Sequence, residues 1–358
     1  MLILWAPLIS TFLVACRGSK PLPPVDFGEF DGNSGYYDEE LYRERESEVW
    51  PQVDLNLGQV SGIDTDARGN VHIFHRGSRV WGEDSFDDEG NYLHVKDGPI
   101  SEPTHLVLNK TTGAVMSSMG AGMFYMPHGL TLDHEGNVWL TDVALHQVMK
   151  FPPGNDKPSL ILGKAFKSGR DHVHFCQPTD VAISSQTGEI FVSDGYCNSR
   201  IVKFAPDGSY ILEWGHSNSD NEFPHPPGQF FIPHSITLIQ DWDLLCVADR
   251  ENRRIQCFAA GTEKRGLPAG TFIKKAEQLG RVYAVSHAGH LLVGVTNPGI
   301  IGGEPQLFIV DLENGKSEVA TPNLANPHDI AVDVSKDGLI NAIYVAEIGP
   351  NGVRKIEL

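Results

Sequence analysis

Basic residues are scarce in this 358-residue chain: 28 Lys and Arg stand against 46 Asp and Glu, a formal net charge of −18. That balance argues against a nucleic-acid binder, which needs a basic face to attract phosphate. Cysteine is scarce as well, with five residues in all, and a chain of this length buries a full core without disulfides as its main staple. Long apolar runs are missing after the first 15 residues, so no later stretch is expected to cross a membrane as a helix. Glycine (37) and proline (23) are plentiful, which suits many turns between short strands better than a helical fold. With 41% hydrophobic and 21% charged residues, the composition is that of a globular protein rather than a disordered one.

Residues 1–16 read as a processing signal. Met1 to Ala15 is apolar but shorter than the roughly 20 residues of a spanning helix, and it resembles the hydrophobic region of a secretory signal. Leu13-Val14-Ala15-Cys16 also matches a bacterial lipobox, in which Cys16 would be lipidated. The expectation is a secreted protein, with a bacterial lipoprotein as the alternative. Residues 17–50, rich in Pro, Gly and charge, read as a linker or arm, and 51–358 as the folded domain.

With Cys16 set aside, Cys176, Cys197, Cys246 and Cys257 remain, an even number for an oxidising compartment. Three pairings are open, and four buried free thiols are the further alternative. The local pairing, Cys176 with Cys197 and Cys246 with Cys257, closes short loops inside single sequence units. A loop of roughly 20 residues contributes about 3 kcal/mol in the chain-entropy model.

Those units are repeats. Pro127-His128-Gly129-Leu130, Pro178-Thr179-Asp180-Val181, Pro233-His234-Ser235-Ile236 and Pro327-His328-Asp329-Ile330 each precede two further runs of alternating or β-branched residues, bounded by Gly, Asp and Asn turns. The prolines are spaced by 51, 55 and 94 residues, and the last interval leaves room for a degenerate unit around 280–312. Another unit precedes the series at 58–81. Six units of about 40–55 residues, each with four short strands, predict an all-β fold, a six-bladed β-propeller. One blade cannot bury both its faces, so stacking around an axis supplies the core.

His128, His234 and His328 share one phase of the repeat, in units two, four and six. The matching positions in the other units are Ser61, Thr179 and, approximately, Arg281. Alternate blades of a six-bladed ring are a third of a turn apart, so three imidazoles converge if this position faces the axis. Three neutral imidazoles with a fourth position open form a catalytic zinc arrangement. The remaining histidines read as surface or hydrogen-bonded groups.

Longer blocks carry a family resemblance: Gln59-Val60-Ser61-Gly62, His75-Arg76-Gly77, Thr141-Asp142-Val143-Ala144, Phe175-Cys176-Gln177-Pro178, Ser193-Asp194-Gly195-Tyr196-Cys197 and Ala248-Asp249-Arg250-Glu251-Asn252. Over about residues 48–358 the chain resembles the peptidyl-α-hydroxyglycine α-amidating lyases, the second activity of the peptide-amidating monooxygenase system. The resemblance implies an NHL-type six-bladed propeller that cleaves peptides ending in α-hydroxyglycine to a peptide amide and glyoxylate. It implies zinc on His128, His234 and His328, and Tyr196 as catalytic base. Arg76 and Arg250 would hold substrate and organise the site. A structural calcium would bind the carbonyls of Ile63 and Leu130 and the carboxylate of Asp329. The family disulfides match the local pairing. A separate monooxygenase would supply the hydroxylated peptide.

The residues add chemistry of their own. Tyr196 needs a depressed pKa to act as a base near neutrality, and a neighbouring cation would supply it. A substrate carboxylate calls for an arginine fork, Arg76 first and Arg250 second. Asp329 has a second reading as partner to an imidazole. Asn109-Lys110-Thr111 is a glycosylation sequon. Two departures from the family pattern stand out. Asn326 replaces a methionine two residues before His328, at a position expected to touch substrate. The last unit turns through Glu347-Ile348-Gly349-Pro350 instead of an aspartate-led turn, so ring closure is expected to be adjusted there. The rival readings are a non-catalytic propeller that binds peptides or proteins, and a calcium-dependent propeller hydrolase.

Overall fold

The computed structural model describes residues 50–217, 225–262, 266–299 and 302–357. The signal, Cys16 and nearly all of the arm expected at 17–50 lie outside them. The described residues form six antiparallel blades in chain order. Their inner strands are Val60–Thr65, Pro127–Leu132, Asp180–Ile183, Pro233–Ile239, Val282–Ala288 and Pro327–Val334. Neighbouring inner strands touch in sequence, and the sixth meets the first, which closes the ring. Blades one to five have four strands. The last has three: Pro327–Val334, Ile340–Ile348 and Asn351–Ile356. Two short 3₁₀ turns, Val95–Asp97 and Gln240–Trp242, lie between strands.

The core follows from the repeat. Six apolar clusters lie between the blades, one at each contact. Phe74, Leu130 and Leu140 join blades one and two. Trp139, Val181 and Val192 join two and three. Phe191, Ile236 and Phe258 join three and four. Ile239, Val282 and Phe308 join four and five. Val293, Ile330 and Val345 join five and six. Ile63, Ile73 and Tyr344 close six onto one, with Trp50, Leu55 and Leu57 packed over that seam. Each blade buries its two faces against its neighbours, as stacked repeats require.

Both disulfides of the local pairing are present. Cys246 and Cys257 are direct cross-strand partners in blade four. Cys176–Cys197 ties the loop entering blade three to the turn after Asp194. Asn109, head of the sequon, accepts from the amides of Thr111 and Thr112 through its side-chain oxygen, within a hairpin turn.

Candidate active site

The inner strands of blades one, two, four, five and six each carry an irregularity near their start, after Val60, Pro127, Pro233, Val282 and Pro327. A bulge adds an unpaired residue and re-aims its side chain. The re-aimed residues include Ser61, His128, His234, Tyr283 and His328, and Thr179 holds the same place in blade three. In blade five the axial residue is therefore Tyr283, and not Arg281 as the spacing suggested. Gly62 lets the first two blades close at the axis: a Cβ there would lie 2.8 Å from the Leu130 amide nitrogen.

The three histidines meet as expected. Their ring centroids form a triangle 4.8 Å on each side. Each ring donates from Nδ1 to the carbonyl of the axial residue in the next blade: His128 to Thr179 at 2.7 Å, His234 to Tyr283 at 2.6 Å and His328 to Ser61 at 2.8 Å. Those bonds fix the tautomers and leave three unprotonated Nε2 atoms facing one another. Burial pushes His128 down to about 3 and holds His234 and His328 well below the usual imidazole range, so all three are neutral near neutral pH.

Tyr196 caps this cluster. Its hydroxyl lies 3.0 Å from His128 Nε2 and 3.1 Å from His234 Nε2. The Cys176–Cys197 bridge holds the adjoining backbone, and Gly195 lets that turn abut blade four, since a Cβ would sit 2.1 Å from the Pro233 carbonyl oxygen. Arg76 is buried beside it. Its Nε donates to the Pro127 carbonyl at 3.0 Å and its Nη1 to Gln59 Oε1 at 2.7 Å, while Nη2 is buried with no partner. The Arg250 guanidinium lies over the rings of both Tyr196 and Tyr283, at 5.4 and 4.9 Å from their centroids.

Comparison with known proteins agrees with this geometry. Residues 175–204 match the NHL repeat family. Peptidyl-glycine alpha-amidating monooxygenase A of Xenopus laevis is 46% identical over 328 residues, which cover 89% of this chain and 34% of that protein. A probable peptidyl-alpha-hydroxyglycine alpha-amidating lyase of Caenorhabditis elegans is 41% identical over 305 residues, covering 84% of this chain and 83% of that one. This chain belongs to the peptidyl-α-hydroxyglycine α-amidating lyase family. Peptidyl-alpha-hydroxyglycine alpha-amidating lyase 1 of Drosophila melanogaster, 43% identical, shares 86% of this chain and 58% of its own length. The chain spans about a third of the length of the amidating monooxygenases it matches. Among solved structures, the nidogen/laminin complex aligns with a TM-score of 0.54 at 16% identity, over 81% of this chain and 85% of that one, a likeness of fold alone.

In this family member the phenol is not depressed by the protein's own groups. Burial pushes Tyr196 up, and Arg250 and Arg76 pull it back only in part. Arg76 itself is drawn down to about 10 by burial and so stays cationic near neutrality. Asp329 is held by backbone amides rather than by a hydrogen bond to an imidazole among the described residues. Its carboxylate accepts from the amides of Ile63, at 2.8 Å, and Ile330, at 2.9 Å. Sequence reasoning missed two further carboxylates near Asp329, the half-buried Asp64 and the buried Asp180. Burial raises them to about 6 and about 7, and raises Asp329 well above the usual carboxylate range, with mutual repulsion adding to the last two. A signal existed for Asp180, which follows Thr179 as Asp329 follows His328.

Asn326, the departure near the third histidine, accepts a hydrogen bond at Oδ1 from Asn297 Nδ2. The amide of Gly299 donates to Asn297 Oδ1 at 3.0 Å and fixes the orientation of that pair.

Proposed function

We propose that this chain is a zinc-dependent amidating lyase that cleaves a C-terminal α-hydroxyglycine from a peptide, leaving a peptide amide and glyoxylate. The observation that carries the reading is the seat of Tyr196, with its hydroxyl between two unprotonated imidazole nitrogens and the partnerless Arg76 Nη2 in the same site. The donor set suits zinc: one ring nitrogen from each of the three histidines lies within 4.8 Å of the others, and one phenolic proton cannot satisfy two lone pairs. When bound there, zinc would supply Lewis acidity and lower the pKa of nearby acidic protons.

The chain's own residues supply the rest. Arg76 Nη2 receives the substrate carboxylate. Tyr196 takes the proton from the α-hydroxyl as the carbon–oxygen double bond forms and the carbon–nitrogen bond breaks. The departing amide nitrogen takes up a proton. Arg250, over the Tyr196 ring, favours the phenolate form that the transfer requires. Ile63, Leu130 and Asp329 are the proposed structural calcium ligands. A cation there would relieve the repulsion among the Asp64, Asp180 and Asp329 carboxylates. The peptide would come from a hydroxylating monooxygenase. Two disulfides support an oxidising, secretory location.

The test is turnover of a synthetic peptide ending in α-hydroxyglycine, with peptide amide and glyoxylate followed by mass spectrometry. Turnover well above the spontaneous rate is expected, lost with a chelator and lowered about 10²-fold or more by Tyr196→Phe. Folded, zinc-loaded protein without turnover would overturn the reading.

A further inference from the structure

A buried guanidinium is ordinarily matched by a carboxylate, because an unpaired charge away from water is costly. Two arginines of this propeller follow that rule. Arg200 pairs with Asp194 at 2.9 Å and Glu213 at 2.6 Å, and Arg254 pairs with Asp249 at 2.8 Å. Arg76 does not, and among the described residues its partners carry no charge. They are the Pro127 carbonyl, Gln59 Oε1 and the Trp81 ring, whose centroid lies 5.1 Å from the guanidinium carbon.

Blade one withholds a carboxylate at two positions. In blades two, four and six, Asp142, Asp249 and Glu347 stand opposite Pro127, Pro233 and Pro327. The residue opposite Val60 in blade one is His75. Its Nδ1 accepts from the amides of Gly58 and Gly77, at 3.3 and 3.1 Å, as those carboxylates accept from loop amides. An accepting Nδ1 holds no proton, so the ring is neutral. Gln59 is the second position. Its backbone carbonyl accepts from the Arg76 amide at 2.9 Å, and its Oε1 accepts from Arg76 Nη1 at 2.7 Å and from the Trp81 amide at 3.0 Å. A glutamate in its place could make the same contacts but would neutralise the arginine.

Arg76 stands at the reacting centre. Its Nε bond runs to the carbonyl next to His128, and the Trp81 ring lies 5.0 Å from that of Tyr196 and 6.2 Å from that of His128.

We propose that Gln59 is a positioning residue that sets specificity: its neutral amide aims Arg76 without neutralising it, and so keeps the guanidinium for the carboxylate of the substrate's last residue. The inference rests on the lyase reading above.

The test compares N-benzoyl-α-hydroxyglycine with its methyl ester on the zinc-loaded full chain, in wild type, Gln59→Glu and Gln59→Leu. The quantity read is the ratio of kcat/KM for acid over ester. Gln59→Glu is expected to lower it about 10- to 100-fold, chiefly through KM, the range of one hydrogen bond between charged groups. Gln59→Leu, which loses both side-chain hydrogen bonds but leaves Arg76 unpaired, should keep more of the ratio. A residue that only held its loop in place would give the opposite order, since glutamate preserves the contacts and leucine does not. That order, or an unchanged ratio in Gln59→Glu, would overturn the proposal. Urea unfolding of Gln59→Glu should show no loss of stability, because the new carboxylate pairs a charge already buried. A large loss would overturn the pairing on which the proposal depends. Wild type that turns over neither substrate would overturn the lyase reading itself.

Discussion

Glu347 does in the last blade what Asp142 does in the second. Asp142 Oδ2 accepts from the amides of Tyr125 and Met126, at 2.7 and 3.0 Å, and so fixes the loop that leads to His128. Glu347 Oε1 accepts from the amides of Ala325 and Asn326, at 2.6 and 3.2 Å, and fixes the loop that leads to His328. Asp194 and Asp249 hold the amides of Cys176 and Phe231 in the same way. The glutamate is a longer arm reaching the same two donors. Glu347→Ala is expected to cost about 1 kcal/mol, because two partly buried amides lose their acceptor. Zinc affinity should fall with it, while Glu347→Gln, which keeps an oxygen, should lose less of both. Denaturant unfolding and zinc titration measure the two effects.

The two disulfides should separate in function. Each contributes about 3 kcal/mol in the chain-entropy model, so replacing either cysteine pair with serine should destabilise the chain by a similar amount. Cys197 adjoins Tyr196, however, whereas Cys246–Cys257 lies within the sheet of blade four. The Cys176/Cys197 replacement is expected to lower kcat several-fold under conditions where both variants remain folded. Equal kcat in the two variants would show that the bridge does not position the phenol.

Arg76 should be read by the charge of the substrate's end. Arg76→Met is expected to reduce kcat/KM for an α-hydroxyglycine acid about 10- to 100-fold, the range of one hydrogen bond to a charged group. The methyl ester of the same substrate should be much less affected. Comparing the two substrates in wild type and variant isolates the carboxylate contact from any general loss of packing.

A pH effect is expected away from the site. Burial depresses His287 to about 4, with Asp241 opposing, and its Nδ1 lies 2.7 Å from the Thr237 hydroxyl. Above pH 6.5 the ring is neutral in both states and contributes no pH dependence. Between pH 6.5 and 4 the unfolded chain takes up a proton that the folded chain refuses, so stability falls as pH falls. Between pH 7 and 5 the wild type should lose about 2 kcal/mol more than His287→Asn. Urea unfolding of both proteins at the two pH values checks the sign and the size.

The ring was legible in the sequence because its markers are local. An axial residue and two β-branched runs recur within each unit, a proline precedes the axial residue in four of the six, and three of the axial residues are histidines. Tyr283 was not legible. Its unit carries Val282 where four others have proline, and the irregularity that turns the axial side chain inward leaves no mark on a period-two pattern. The phase therefore slipped two residues, to Arg281. Asp64 was missed because nothing near it in the sequence says that it stands beside Asp329, and Asp180 because its place after Thr179 was not read against that of Asp329 after His328. Their proximity exists only once blades one, three and six stand around one axis. Glu347 looked like a break in the pattern because a glutamate for an aspartate conceals an unchanged contact.

The histidines stand in blades two, four and six, so no two of the blades that hold them are neighbours. A chain folded only through its fifth blade has two imidazoles at the axis and lacks the third. The Nδ1 bond of His328 also runs to Ser61, across the seam between the last blade and the first. The full three-imidazole cluster is therefore a property of the closed circle alone. Capacity to hold the proposed zinc would thus double as a certificate that the chain has finished folding.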